Sequence, residues 1–393
     1  MRKNYKVAEI INLFGSAENF IGSQFKYLKN NGYEMHLICS PHERLESFSN
    51  NQGCYFKAIP FERQLSPLKD LKSLIKLYRY LKNSRIDVVI CHQMKATLLG
   101  VLAARIAGIK KIILFEHGAL YETAKGMFRK MLIQELRFVN SFASKMVCVS
   151  PYILELGIKD KTSKPEIRTL LGPGSCGGID TIKCFNPELF SSDVITRLKK
   201  DLGIEKDTFV IGFVGRLVRD KGVIELLESF NLLQNRFPEK KIKLLIIGEP
   251  EKWDGLPEIT LKELSDNPDI IFTGFIPRER MPQYYLCMDI MVLPSYREGM
   301  PTCNLEAQAM GIPVITSKIS GTRDSIIENK TGLYCDINGQ DIANQIIRLF
   351  DETMRKSIGN NGKTWVRDSF DHSKVWPYIK EILDEITGQS QGN

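Results

Sequence analysis

Short apolar runs rich in β-branched residues alternate with longer helix-patterned stretches along nearly the whole chain, and this rhythm constrains the fold more than any other feature. In the first half the strand candidates are Tyr5–Ile11, Glu34–Cys39, Lys57–Pro60, Asp87–Cys91, Lys111–Phe115, Lys145–Val149 and Ile167–Leu171. Helical patterns lie between most of them, around residues 20–30, 66–83, 95–107 and 124–142. After a break at Cys184–Asp207, which carries Asn186-Pro187 and Ser191-Ser192, the rhythm restarts. The second set is Phe209–Val214, Lys243–Ile247, Ile270–Thr273, Asp289–Leu293, Pro313–Thr316 and Gly332–Cys335. Strands that read as continuous apolar runs are buried on both faces, and helices between them can cover both faces of a parallel sheet. Beyond Asp351 only helical patterns remain, the last of them Ser373–Ile386. The expectation is an α/β chain of two doubly wound parallel-sheet domains. Residues 1–190 form the first, 191–207 a linker and 208–365 the second. A C-terminal helix within 366–393 returns to the first. Such sheets bind ligands at their strand C-termini, which points to the cleft between the domains.

Composition narrows the class. With 43% hydrophobic and 25% charged residues in 393, the chain is neither fibrous nor largely disordered. Its formal net charge is +8, from 54 Lys and Arg against 46 Asp and Glu. Residues 1–190 hold 28 basic and 16 acidic side chains, so the excess belongs wholly to the first half. That asymmetry suits one anionic surface or substrate and falls short of the basic density of a nucleic-acid binder. The nine cysteines are scattered singly with no C-x-x-C, which predicts reduced thiols rather than disulfides or zinc. Residues 1–14 lack the long apolar core of a secretory signal. The longest apolar helix candidate, Ala96–Ala104, is stopped by Arg105, whereas a membrane span needs about twenty residues. A cytoplasmic protein, soluble or peripheral to a membrane, is expected.

Gly172-Pro-Gly-Ser-Cys-Gly177 matches the G-x-G-x-x-G dinucleotide fingerprint after a strand. That fingerprint works only where a helix starts inside it and points its N-terminus at a pyrophosphate. Gly178, Ile179 and Asp180 follow, then Asn186-Pro187, and nothing there nucleates a helix. A glycine loop ending the first domain is the better reading.

Two segments carry chemistry. Leu293-Pro-Ser-Tyr-Arg-Glu-Gly-Met-Pro-Thr-Cys-Asn-Leu-Glu-Ala-Gln-Ala-Met-Gly311 leaves a buried strand, makes a turn and enters a short helix for which Thr302 is the expected cap. First-turn N–H groups of such a helix can hold a phosphate. Glu298 and Glu306 flank that turn, and each carboxylate suits the vicinal hydroxyls of a sugar or ribose. Together they would grip both sugars of a nucleotide-sugar; alone, two Glu at this spacing also describe solvated helix charges. The second segment is Gly212-Phe-Val-Gly-Arg-Leu-Val-Arg-Asp-Lys-Gly222. It sets Arg216 and Lys221 at a strand-to-helix turn, where two cations would neutralise a departing diphosphate.

Gly-Arg-x-x-x-x-Lys-Gly followed by Glu-x7-Glu, in this order and on these elements, resembles glycosyltransferase family 4, whose fold is the two-domain, Rossmann-like GT-B architecture. The resemblance spans essentially the whole chain and includes a C-terminal crossover helix. Gly172-Pro-Gly-Ser-Cys-Gly-Gly-Ile-Asp180 and Ser320-Gly-Thr-Arg-Asp-Ser-Ile326 resemble segments of bacterial capsule and O-antigen sugar transferases. Carried over residue by residue, the resemblance implies that Arg216 and Lys221 bind the donor diphosphate. Glu306 would then take the ribose and Glu298 the sugar hydroxyls. Met300, Pro301, Thr302, Asn304 and Leu305 would line the phosphate and sugar. His117, in Phe-Glu-His-Gly, would reach the donor sugar, and Gly15 and Ser16 sit at the family's glycine-loop position. The family also implies retention of anomeric configuration. With no Asp-x-Asp in the chain, neither a metal nor another cofactor is expected.

Ser66-Pro67 opens a helix in which Leu68, Leu71, Leu74, Ile75, Tyr78 and Leu81 run beside Lys69, Lys72, Lys76, Arg79 and Lys82. This stripe, with Arg129, Lys130 and Arg137, fits an anionic membrane surface; a packed helix with a solvated basic face is the plainer reading. The expected activity is transfer of a hexose or N-acetylhexosamine from a nucleotide-diphosphate sugar, UDP foremost, to a polyprenyl-diphosphate-linked saccharide. The alternatives are a nucleotide-sugar epimerase or phosphorylase of the same fold, or a non-enzymatic binder of anionic glycan. No nucleic-acid partner is expected.

Overall fold

The computed structural model describes residues 4–62, 66–251 and 255–389. The chain divides into two compact units, residues 1–178 with 373–393, and residues 179–372.

The first unit is built on a seven-stranded parallel sheet. Its strands are β1 (Tyr5–Ile10), β2 (Tyr33–Cys39), β3 (Tyr55–Ala58), β4 (Val88–His92), β5 (Lys111–Glu116), β6 (Lys145–Cys148) and β7 (Arg168–Leu170), in the order β3-β2-β1-β4-β5-β6-β7. The second unit repeats the plan with β8 (Phe209–Val214), β9 (Ile242–Ile247), β10 (Ile270–Phe272), β11 (Ile290–Leu293), β12 (Val314–Ser317) and β13 (Gly332–Cys335), in the order β10-β9-β8-β11-β12-β13. Both are Rossmann-like doubly wound sheets, the pair of modules found in GT-B enzymes. Their interiors follow from the apolar runs: Val88, Val89, Ile90 and Cys91 of β4, like Ile290, Met291 and Val292 of β11, are fully buried. Strand order reverses between β1 and β4 and between β8 and β11. The loops leaving those four strands therefore diverge to opposite faces and open a ligand site at the C-terminal edge of each sheet.

The division between the units falls earlier than the sequence suggests, after Gly178 rather than residue 190. Ile179 is already anchored in the second unit. Its N–H donates to the Phe370 carbonyl at 2.8 Å and its carbonyl accepts from His372 N–H at 3.1 Å, while Thr181 donates its hydroxyl to the Asp371 carboxylate at 2.6 Å. Nor do residues 191–207 act as a linker, since Ser192–Asp201 is a helix of the second unit. Residues 366–370 finish the helix Glu352–Phe370 in that unit. From Ser373 the final helix, His372–Thr387, packs in the first unit. There Trp376 Nε1 donates to the Gly177 carbonyl at 2.8 Å, and Tyr33 donates its hydroxyl to Asp384 at 2.6 Å. Gly172–Gly177 forms turns with no helix behind them. All nine cysteines are free thiols. Among the described residues no helix is long and apolar enough to cross a membrane.

Candidate active site

The second unit carries most of the candidate residues, at the C-terminal ends of β8 and β11. Lys221 lies in the turn Arg219–Lys221 after β8, and its ammonium pairs directly with the Glu298 carboxylate from the loop after β11. Both side chains are mostly buried. Around this pair Asp220 ties the two loops together: its carbonyl accepts from Ser295 Oγ at 2.8 Å and its carboxylate pairs with Arg297 at 2.7 Å. Arg216 does not join them. Its guanidinium is 59% exposed and pairs with Glu251 at 2.6 Å.

Glu306 is held apart from that pair, in the helix Thr302–Ala309. Its carboxylate is 6% exposed and is fixed from two sides, by Arg278 at 2.8 Å and by the Tyr285 hydroxyl, which donates at 3.0 Å. Burial pushes the Glu306 carboxyl above its ordinary value and the Arg278 charge works against that rise. Neither Arg278 nor Tyr285 was singled out in the sequence, because they come to Glu306 only through the packing of the segment after β10. The one available signal was the run Pro277-Arg278-Glu279-Arg280 just beyond a strand end.

Thr302 is the first residue of its helix and not its cap: Pro301 occupies the cap position, and no side chain caps the end. The first-turn N–H groups are thereby left without a side-chain acceptor. Met300 packs against the unit's core and Leu305 is fully buried. Asn304, also fully buried, donates its amide to Ser325 Oγ at 2.8 Å. The Glu298 backbone is clamped from behind, its carbonyl accepting from Ser320 Oγ at 2.8 Å and from Gly321 N–H at 3.1 Å. A Cβ on Gly321 would stand 1.4 Å from the Gly299 oxygen. Gly321→Ala is therefore expected to displace the Glu298 turn. A misplacement near 1 Å costs on the order of 10²-fold in turnover, and a nucleotide-sugar turnover assay checks it.

In the first unit, His117 follows β5 and stacks on Phe20 with centroids 5.3 Å apart. Its Nε2 lies 3.0 Å from Nδ1 of His92, the last residue of β4. Gly15 and Ser16 open the first helix, Phe14–Phe20. Gln93 donates its side-chain amide to Ser16 Oγ at 3.0 Å and accepts from Asn12 N–H at 3.1 Å. To do so Gln93 takes a left-handed φ of 66° that a non-glycine residue rarely adopts. Space is open where a Gly15 Cβ would stand. His92 and Gln93 escaped the sequence reading, which ended the strand at Cys91.

Residues 17–169 match "Glycosyltransferase Family 4" and residues 194–365 match "Glycosyl transferases group 1". The capsular polysaccharide biosynthesis glycosyltransferase CapM of Staphylococcus aureus is 28% identical over 393 residues, covering 99% of this chain and 100% of CapM. An Escherichia coli UDP-Gal:α-D-GlcNAc-diphosphoundecaprenol α-1,3-galactosyltransferase is 26% identical over 382 residues, 96% of each chain. In fold, HepE of Anabaena in complex with UDP-glucose superposes with a TM-score of 0.79 at 18% identity, over 97% of this chain and 99% of HepE. The first matched segment lies in the first unit and the second in the second unit, and the chain belongs to the glycosyltransferases that carry these two segments.

Proposed function

We propose that the protein transfers a hexose or N-acetylhexosamine, with retention of configuration, from a UDP-sugar to a polyprenyl-diphosphate-linked saccharide in capsule or O-antigen synthesis. The observation that carries this reading is the pair of carboxylates around one strand-to-helix turn, each pre-set by its own cation: Glu298 by Lys221 and Glu306 by Arg278. Glu306 binds the ribose hydroxyls and Glu298 those of the donor sugar. The first-turn N–H groups between them, with the backbone of Met300 to Leu305, meet phosphate and sugar. Lys221 and Arg216 stabilise the leaving diphosphate; Arg216 swings from Glu251 to do so, for which its exposure leaves it free. The departing phosphate oxygen takes the acceptor's proton, on the face where the new bond forms. His117 contacts the donor sugar, and Gly15 and Ser16 approach the diphosphate. Because Lys221 and Arg216 supply the positive charge, turnover is expected to persist in EDTA.

A membrane acceptor suits exposed apolar and basic side chains on two helices of the first unit. In the helix Pro67–Asn83, Leu77 and Leu81 are buried, whereas Leu68, Leu71 and Ile75 stay exposed beside Lys72, Lys76 and Arg79. Met127, Phe128 and Met131 are likewise exposed, next to Lys130. Arg129 and Arg137 bind the segment at Asp160 and Lys161 instead. The protein then works on the cytoplasmic face of the membrane, as a peripheral enzyme.

The test is nucleoside diphosphate release from UDP-, GDP-, ADP- and dTDP-sugars, with and without lipid-linked saccharide, beside Glu306→Ala. Release from a UDP-sugar that needs the acceptor and is lost in the variant supports the reading. Conversion of the donor without acceptor would replace it with the epimerase.

A further inference from the structure

β1 carries a carboxyl that the proposed chemistry does not use. Glu9 is 1% exposed, and neither of its oxygens has a hydrogen-bond partner among the described residues. Its Oε2 lies 3.5 Å from Nε2 of His92, itself 1% exposed and equally without a closer partner. The other His92 nitrogen, Nδ1, is 3.0 Å from His117 Nε2. A carboxyl and two imidazoles thus stand in a row from the sheet interior to His117, the imidazoles joined by a hydrogen bond and the carboxyl approaching His92 to 3.5 Å. Both rings lie against aromatic faces: His92 stacks on Phe115 at 4.4 Å and His117 on Phe20 at 5.3 Å.

We propose that Glu9 and His92 are positioning residues for His117: the proton on the Glu9 carboxyl decides which imidazole donates across the His92–His117 hydrogen bond, and so whether His117 presents N–H or a lone pair from Nδ1 to the donor sugar. This rests on the reading of His117 given above. With each imidazole neutral there are two arrangements. A protonated Glu9 donates to His92 Nε2; His92 then donates from Nδ1 to His117 Nε2, and His117 carries its own proton on Nδ1. An ionised Glu9 accepts from His92 Nε2–H, His92 Nδ1 accepts from His117 Nε2–H, and His117 Nδ1 is bare. The two differ by one proton, released to solvent.

Burial supports this sequence of states. It pushes the Glu9 carboxyl up to about 8 and both imidazoles down to about 3, so near neutral pH the carboxyl alone titrates. The titratable groups around Glu9 are His92, His117, Cys176 and Cys54, and burial pushes both thiols up so that they stay neutral as well.

His92, His117 and Cys176 also place one ligand atom each within 4.8 Å of one another, which raises the question of a metal ion. The two imidazole nitrogens stand at 3.0 Å, a hydrogen-bond length. Tetrahedral zinc with Zn–N near 2.0–2.1 Å would hold them about 3.3 Å apart. The proton line is the better account.

The experiment is imidazole ¹⁵N NMR of the full chain across pH 6 to about 10, with wild type, Glu9→Gln and His92→Gln, alongside kcat/KM for the donor. In wild type the His117 proton is expected to move from Nδ1 to Nε2 with a midpoint near 8, with kcat/KM bending at the same pH. Glu9→Gln is expected to abolish both transitions. Should that variant fail to fold, His92→Gln interrupts the line at its middle and must abolish them too. A His117 tautomer that never changes, a transition that survives in both variants, or a rate profile indifferent to them would overturn the proposal. Spectra altered by EDTA or by one equivalent of zinc would replace it with the metal. If no donor is turned over, the functional reading fails while the NMR still decides the proton line.

Discussion

Lys221→Ala is expected to lower turnover about 10²–10³-fold, the usual consequence of removing one preorganised donor from a developing negative charge. The structure adds a second effect. Lys221 and Glu298 are paired and mostly buried before any donor arrives, so the single variant leaves a carboxylate uncompensated beside the place proposed for a diphosphate. Donor KM should therefore rise as well. Glu298→Gln in the Lys221→Ala background removes the stranded charge, and donor KM should partly recover while turnover stays low. The stranded carboxylate is mostly buried, so Lys221→Ala should also lower the melting temperature, and Glu298→Gln should return part of it. Kinetics of nucleoside diphosphate release separate the two effects. A Lys221→Ala enzyme that kept more than about half its turnover would remove Lys221 from the chemistry, because charge stabilisation of a leaving group is among the largest catalytic contributions.

The central strands were legible because each is an apolar run bounded by polar turns; β3, exposed along its whole length, was placed two residues late. Burial on both faces makes the central runs unbroken. The same property hid the residues behind the site. Glu9 sits in Tyr-Lys-Val-Ala-Glu-Ile, where a carboxyl looks like an ordinary interruption, since a doubly buried strand has no polar face to which it could be assigned. His92 lies one residue beyond the expected strand end, and its tie to His117 crosses from β4 to β5. The turn and helix between Glu298 and Glu306 were readable because their chemistry is local in sequence. Arg278 and Tyr285 were not, because they meet Glu306 only after β10 and β11 have been laid into one sheet. The boundary between units was misplaced for a related reason. Asn186-Pro187 and Ser191-Ser192 look like a linker locally, but Ile179 and Thr181 are claimed by Phe370 and Asp371, nearly two hundred residues away.

Arg168→Leu is expected to destabilise the first unit by about 3–5 kcal/mol, the cost of stranding a buried charge. The Arg168 side chain is fully buried on β7, with Nη1 2.6 Å from the Glu116 carboxylate and Nη2 donating to Thr162 Oγ1. Burial pushes the Glu116 carboxyl up, and the guanidinium opposes that rise; with leucine in its place the carboxylate has no cation to face. Urea unfolding of wild type and variant measures the difference. The charge, rather than lost packing, is separated by adding Glu116→Gln, which should return part of the stability although it deletes a second partner of the network. Gly157 offers a check that leaves both charges in place. A Cβ there would stand 2.1 Å from the Arg168 guanidinium carbon, which is enclosed and cannot retreat to solvent. Gly157→Ala should therefore separate Arg168 from Glu116 and destabilise the unit, even though alanine is the better helix former by about 1 kcal/mol. If Gly157→Ala proved neutral, the guanidinium would have another way to lie, and the ion pair would not be what fixes β7 to its neighbours.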